Sequence, residues 1–289
     1  MSSPFVVVLG IAQDAGYPQA GCKRECCARA WRDARLRQHV ACLAIVDPES
    51  GQRWLLDCTP DLPEQLHELH EIAPFESSSA VDGILLTHAH IGHYFGLMHL
   101  GREAMGAKGT PVYTMPRMRR FLEANDPWRE LITSEHIKIR DLEDNEELPL
   151  NDRIRVRPFS VPHRAEFSET VGFQVDGPSR SVIYISDIDG WDRWDTRIEE
   201  VISAADVAYL DGTFFDDNEV PGRNMADIPH PTMTATLKRL SQLSVPDRRK
   251  VRFIHLNHTN PALDPNSEAA KTVTENGCCI AQFGERFEL

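Results

Sequence analysis

Short runs of β-branched and aliphatic residues recur along the chain, each closed by a polar or turn-forming residue. Residues 5–9, 42–46, 54–56, 81–86, 154–161, 171–175, 182–185, 207–210 and 251–254 read as strands. Between them the apolar spacing lengthens to the helical period over 61–72, 93–105, 193–204, 232–243 and 267–274. The first of these helices opens on Asp61 as an expected cap, with Pro63 in its first turn. Strands interspersed with helices predict an α/β chain with αββα layering, two β-sheets packed face to face and flanked by helices. No internal repeat, low-complexity stretch or Pro/Gly/Ser linker divides the sequence, so residues 1–289 are expected to form one domain.

Composition narrows the partners. The 31 Lys and Arg against 44 Asp and Glu give a net charge of −13, which disfavours nucleic acid and anionic membrane as partners. No apolar run approaches the roughly 18 residues of a membrane span. The N-terminal run Phe5-Val6-Val7-Val8-Leu9 is too short for a signal peptide, so a cytoplasmic protein is expected. Seven cysteines, an odd number, do not read as a disulfide framework. Cys42 and Cys58 sit in apolar runs and read as core, whereas Cys22, Cys26 and Cys27 crowd into what reads as a loop.

The densest chemistry follows the apolar run Ile84-Leu85-Leu86. His88, His90 and His93 stand at i, i+2 and i+5, where a strand ending in a loop that starts a helix aims three imidazoles into one small volume. Imidazole is the commonest zinc ligand, and three so close predict a metal site rather than a solvated turn. His163, Asp187 and His255 each follow a later apolar run, where a rigid sheet positions a ligand well.

Thr87-His88-Ala89-His90-Ile91-Gly92-His93 resembles the H-x-H-x-D-H motif of the metallo-β-lactamase superfamily, and His163, Asp187 and His255 fall in the order of its remaining metal ligands. The resemblance spans nearly the whole chain. The N-terminal run from Leu9 to Cys22 is similar to the opening of one branch. That branch holds the pyrroloquinoline-quinone biosynthesis protein B family and the cyclic-phosphate phosphodiesterases of phosphonate breakdown. Asn257-His258-Thr259-Asn260-Pro261 resembles the quinone-biosynthesis family most closely. The resemblance implies one metal on His88, His90 and His163, and a second on His93 and His255 with Asp187 bridging. In place of the motif's aspartate, a ligand of the second metal, stands Gly92, so a weakened second site is expected. Asp14 and Asp211 are candidates to fill the gap.

Two further sites come with the resemblance. Ile228-Pro229-His230-Pro231-Thr232 looks like the His-x-Thr loop of the phosphodiesterases, which implies that His230 protonates the leaving oxygen. Cys22, Cys26, Cys27 and His258 look like the structural zinc site of the same enzymes, although adjacent cysteines are an awkward pair and one is expected to point elsewhere.

The expected function is hydrolysis of an ester or phosphodiester by a zinc-bound hydroxide, with His230 and Asp187 as catalytic residues. Zn2+ is the expected cofactor, one or two ions at the active site and one structural, with Fe or Mn as alternatives. The alternative readings are a quinone-biosynthesis-like oxidative metalloenzyme and a non-catalytic metal-binding homologue. The expected partner is a small-molecule substrate, and a homodimer is allowed. A role on tRNA is disfavoured, because the segment from Phe215 to Asp227 is acidic rather than a basic RNA-gripping arm.

Overall fold

Every expected strand forms, and five further strands join them, in the computed structural model, which describes residues 2–75, 79–220 and 229–289. The first sheet contains β1 (Phe5–Gly10), β2 (Cys42–Asp47), β3 (Gln52–Leu56), β4 (Gly83–Leu85), β5 (Thr110–Thr114), β6 (Ile137–Asp141) and the C-terminal β14 (Arg286–Glu288), in the order β14-β1-β2-β3-β4-β5-β6. The second contains β7 (Leu148–Pro149), β8 (Arg155–Ser160), β9 (Val171–Asp176), β10 (Ser181–Ile185), β11 (Val207–Asp211), β12 (Val251–Ile254) and β13 (Cys279–Ile280), in the order β13-β12-β11-β10-β9-β8-β7. Both sheets are mixed in the same way. Pairing is antiparallel from β14 to β3 and from β7 to β10, then parallel from β3 to β6 and from β10 to β13.

The period-two alternation explains why the strand runs are apolar on every residue. Val6, Val8, Leu43, Ile45, Trp54 and Leu56 face the second sheet and meet Val156, Phe173, Val175, Tyr184 and Tyr209. Their neighbours Val7, Leu9, Ala44 and Val46 face the other way, onto Leu62 and Leu69 of the helix Leu62–Ile72 and Met118 and Leu122 of the helix Pro116–Ala124. Ile183, Ile185, Ala208 and Leu210 likewise face Ile198 and Ile202 of the helix Ile198–Ala204, and Met233 and Leu237 of the helix Met233–Leu240. Strands covered on both faces need apolar residues at consecutive positions. The expected two-sheet layering, flanked by helices, is therefore present.

Several helical expectations need correction. The segment 93–105 is helical only over Ile91–Tyr94 and then tightens into a 3-10 turn over Phe95–Leu100. A Cβ on Gly96 would lie 2.1 Å from the Thr59 carbonyl oxygen, so this stretch presses its backbone against the loop after β3. Residues 193–204 are shortened to Ile198–Ala204. The Asp61 side chain does not cap the helix Leu62–Ile72; its carboxylate accepts a hydrogen bond from the Val40 amide at 2.8 Å, tying the helix start to β2's approach. Cys26 and Cys27 lie not in a loop but in the first turn of the helix Glu25–Arg32. Among the described residues no helix is long and apolar enough to cross a membrane. Ile228 and residues 221–227 of the acidic segment lie outside the described residues.

Candidate metal centre

The candidate residues converge where strands of both sheets end. Thr87 and His88 follow β4, Asp187 follows β10, His255 follows β12 and His163 follows β8. His88 Nε2 lies 2.8 Å from His90 Nδ1, and His163 Nε2 lies 3.3 Å from the same nitrogen. Three imidazole nitrogens thus point at one another, with the His88 and His163 side chains buried.

A second set adjoins the first. His93 Nε2 is 3.2 Å from Asp187 Oδ2, and His255 Nε2 is 3.5 Å from that oxygen. The other Asp187 oxygen, Oδ1, lies 3.8 Å from His163 Nε2, so the carboxylate has one oxygen toward each set. Asp14 Oδ1 reaches the second set from the N-terminal loop, 3.2 Å from His93 Nε2 and 3.6 Å from His255 Nε2. Asp211, the other candidate to fill the gap, is elsewhere: its Oδ2 lies 2.7 Å from His230 Nδ1.

Four buried atoms here, Asp14 Oδ1, His93 Nε2, Asp187 Oδ2 and His255 Nε2, have no hydrogen-bond partner. Leaving one buried polar atom unsatisfied costs about 1–3 kcal/mol, so two carboxylate oxygens that each face both ring nitrogens fit a shared cation. The donor set, imidazoles with carboxylates, is one that zinc or iron accepts.

The electrostatics follow from burial and neighbours. Burial pushes the His88 imidazole well below its usual pKa, and His163 down to about 4, which keeps both neutral and ready to donate a lone pair. Burial disfavours a charged Asp187, but His255 and His93 outweigh it and hold the carboxyl well below the usual range. Asp14 is lowered in the same way, burial being outweighed by His255 and His93.

Outer partners orient the rings. His93 Nδ1 lies 2.7 Å from Asp57 Oδ2, His163 Nδ1 3.0 Å from Asp189 Oδ1, His255 Nδ1 3.0 Å from Thr213 Oγ1 and His88 Nδ1 2.9 Å from Thr87 Oγ1. Each contact turns Nε2 of its ring toward the centre. Asp57 and His255 also adopt φ of 70° and 65°, a left-handed backbone that costs non-glycine residues energy and persists where the surroundings impose it. Asp57, Asp189 and Thr213 were not singled out by the sequence. The available signal was position: Asp57 comes directly after the apolar run of β3, and Asp189 lies two residues past Asp187.

His230 stands beside the centre, its ring centroid 5.3 Å from that of His163. Burial opposes a charge on it, but Asp211 outweighs burial and lifts its pKa to about 9. Its Nδ1 faces Asp211, and a ligand atom of His230 lies within 4.8 Å of those of His163 and Asp187. Farther out, Cys26 Sγ and Cys27 Sγ lie 3.7 and 3.3 Å from His258 Nδ1, and Cys22 completes a cluster whose ligand atoms all fall within 4.8 Å of one another. The adjacent cysteines both turn inward, contrary to the expectation that one points away; the helical first turn places both side chains beside His258. A cavity of about 820 Å³ joins this cluster to His230 and is lined by Lys23, Arg24, Arg164 and Asn257.

Residues 52–256 match the model of the beta-lactamase superfamily domain. Coenzyme PQQ synthesis protein B of Methylorubrum extorquens (strain PA1) is 28% identical over 311 aligned positions, covering 98% of this chain and 99% of that protein. Zn(2+)-bound PqqB from Methylobacterium extorquens has a similar structure, with a TM-score of 0.83 at 24% identity over 99% of this chain and 100% of that one. A diphosphatase from the PhnP family has a TM-score of 0.69 at 20% identity, over 100% of this chain and 98% of that one.

Proposed function

This chain belongs to the beta-lactamase superfamily, and from that premise we propose that it is a metal-dependent hydrolase of small anionic esters or phosphodiesters. Its fold is the metallo-β-lactamase αββα sandwich. The observation that carries the proposal is the convergence of ligand atoms in two adjoining sets, four of them in the second set buried without a hydrogen-bond partner, with a proton-bearing His230 at their edge.

His88, His90 and His163 would hold one cation, and His93 and His255 a second, with Asp187 between them. Zinc is the cation proposed, supported by the donor set and by the Zn(2+)-bound PqqB structure to which this fold is similar. Bound there, it supplies Lewis acidity and lowers the pKa of water toward neutrality. The chain's own residues do the rest. Arg164, Lys23 and Arg24 attract an anionic substrate into the cavity, in a protein whose overall charge is −13. His230 gives its proton to the departing oxygen as the ester bond breaks, and Asp211 holds the ring in place for that transfer. Cys22, Cys26, Cys27 and His258 are proposed to hold a separate structural zinc that ties the N-terminal loop to the segment after His255.

A second reading rests on the near full-length likeness to coenzyme PQQ synthesis protein B: the same ligands would serve an oxidative step with iron. One experiment separates the two. Protein purified without oxygen is loaded with zinc or iron, then assayed for cleavage of bis-(p-nitrophenyl) phosphate and for oxygen uptake. Metal-dependent ester cleavage is expected; oxygen uptake without cleavage would transfer the assignment to the second reading.

A further inference from the structure

The motif position that carries an aspartate elsewhere is Gly92 here, and its surroundings explain why. A Cβ at residue 92 would lie 2.3 Å from Asp14 Oδ1 and 2.6 Å from Asp14 Cα. The second contact is with backbone, so rotating the Asp14 side chain does not relieve it. The space a motif aspartate would occupy is filled by another aspartate, arriving from a different part of the chain.

That N-terminal loop is pinned in place. The Gln13 amide donates to the Leu256 carbonyl at 2.8 Å, next to His255, and the Ala41 amide donates to Ala12 at 2.7 Å. The Gly16 amide closes the turn by donating to Gln13 at 2.8 Å. Asp14 is therefore delivered by backbone bonds to the segment that also delivers His255. Its Oδ1 is buried, has no hydrogen-bond partner and faces His93 and His255.

We propose that Asp14 replaces the motif aspartate as a ligand of the second cation, completing a set with His93, His255 and Asp187. The second site is then not weakened by Gly92; the glycine is the opening through which Asp14 reaches the metal. This inference rests on the metal-centre reading of the preceding section. Three imidazole or carboxylate ligands plus a shared carboxylate make a full tetrahedral complement, where two imidazoles and a shared carboxylate do not.

The test compares wild type, Asp14→Asn and His88→Ala by metal analysis and by competition with a chromophoric chelator, in otherwise identical zinc-loaded full-length protein. Asp14→Asn keeps size and shape, and its unfolding midpoint in excess chelator reports whether the fold survives. The expected result is loss of about one equivalent of zinc in Asp14→Asn, with affinity at that site falling by more than the roughly 10- to 100-fold that an outer partner costs. His88→Ala should lose the other equivalent and retain the one that Asp14 holds. If Asp14→Asn keeps the wild-type stoichiometry and affinity, Asp14 is not a ligand and the inference is overturned, while the metal-centre reading stands. If wild type takes up no zinc that His88→Ala or Asp14→Asn removes, both are overturned. Should Asp14→Asn fail to fold, Asp14→Glu offers the second variant: a retained carboxylate is expected to restore part of the lost zinc, and no difference from Asp14→Ala would count against the ligand role.

Discussion

His93 Nδ1 lies 2.7 Å from Asp57 Oδ2, and both side chains are fully buried. The carboxylate also accepts from the Thr87 amide and hydroxyl, each at 2.8 Å from Oδ1, so a single residue after β3 fixes the strand end that launches the histidines and the ring of one of them. A proton held on Nδ1 leaves the Nε2 lone pair for a cation.

Asp57→Asn should therefore weaken zinc binding at the second set by about 10- to 100-fold while sparing the set built on His88, His90 and His163. Chelator competition resolves the two sites. Equal weakening at both would mean that Asp57 acts only through the general fold.

His230 sets an alkaline limit. Its pKa is raised from 6.5 to about 9 by Asp211 acting against burial, so its charged form contributes stability fully below about 6.5 and loses that contribution as pH rises through about 9. The proposed proton donor disappears over the same range, and ester cleavage should fall as pH passes 9. His230→Gln should lower kcat by about 10²- to 10⁴-fold and abolish that limb. A variant that keeps the limb would remove His230 from the acid role.

The cysteine cluster should respond to acid rather than base. Burial pushes the Cys27 thiol up to about 12, so it becomes a thiolate at neutral pH only by binding a cation, and uptake releases protons. Zinc retention after dialysis should therefore fall as pH falls, and Cys27→Ser should lose that zinc while leaving the histidine sites loaded. Its thermal midpoint should drop by about 2–4 °C for each kcal/mol the site contributes. Retention of all zinc by Cys27→Ser would place no metal there.

Arg164 lines the cavity and is about half exposed, its nearest carboxylate being Glu166 at 3.9 Å. Arg164→Ala should raise KM for an anionic ester by about two- to fivefold with kcat nearly unchanged, the scale of an exposed charge contact. Added salt should narrow the difference between wild type and variant.

Much of this architecture was legible in the sequence because strands covered on both faces leave unbroken apolar runs, as Val182 to Ile185 and Val207 to Leu210 do. The remaining strands lack such runs. β5 carries Pro111, and β6, at the sheet edge, alternates Ile137 and Ile139 with Lys138 and Arg140. The histidine motif was legible because its ligands are close in sequence and follow one strand. Asp57, Asp189 and Thr213 were not, since a lone polar residue after a strand looks the same whether it orients a ligand or meets solvent. Asp14 was only one candidate among two for the place of the missing aspartate. What distinguishes it from Asp211 is where the carboxylate ends: Asp14 Oδ1 faces His93 and His255, whereas Asp211 is taken up by His230, Thr213 and the Ile188 amide, and no local pattern encodes that difference.

The most direct measurement is a crystal structure of the zinc-loaded protein with anomalous diffraction collected on both sides of the zinc edge. One peak is expected among His88, His90 and His163, and a second among His93, His255 and Asp14, with Asp187 between them. A third is expected among Cys22, Cys26, Cys27 and His258. Absence of any peak at His88, His90 and His163 in fully loaded crystals would mean that these histidines are not metal ligands.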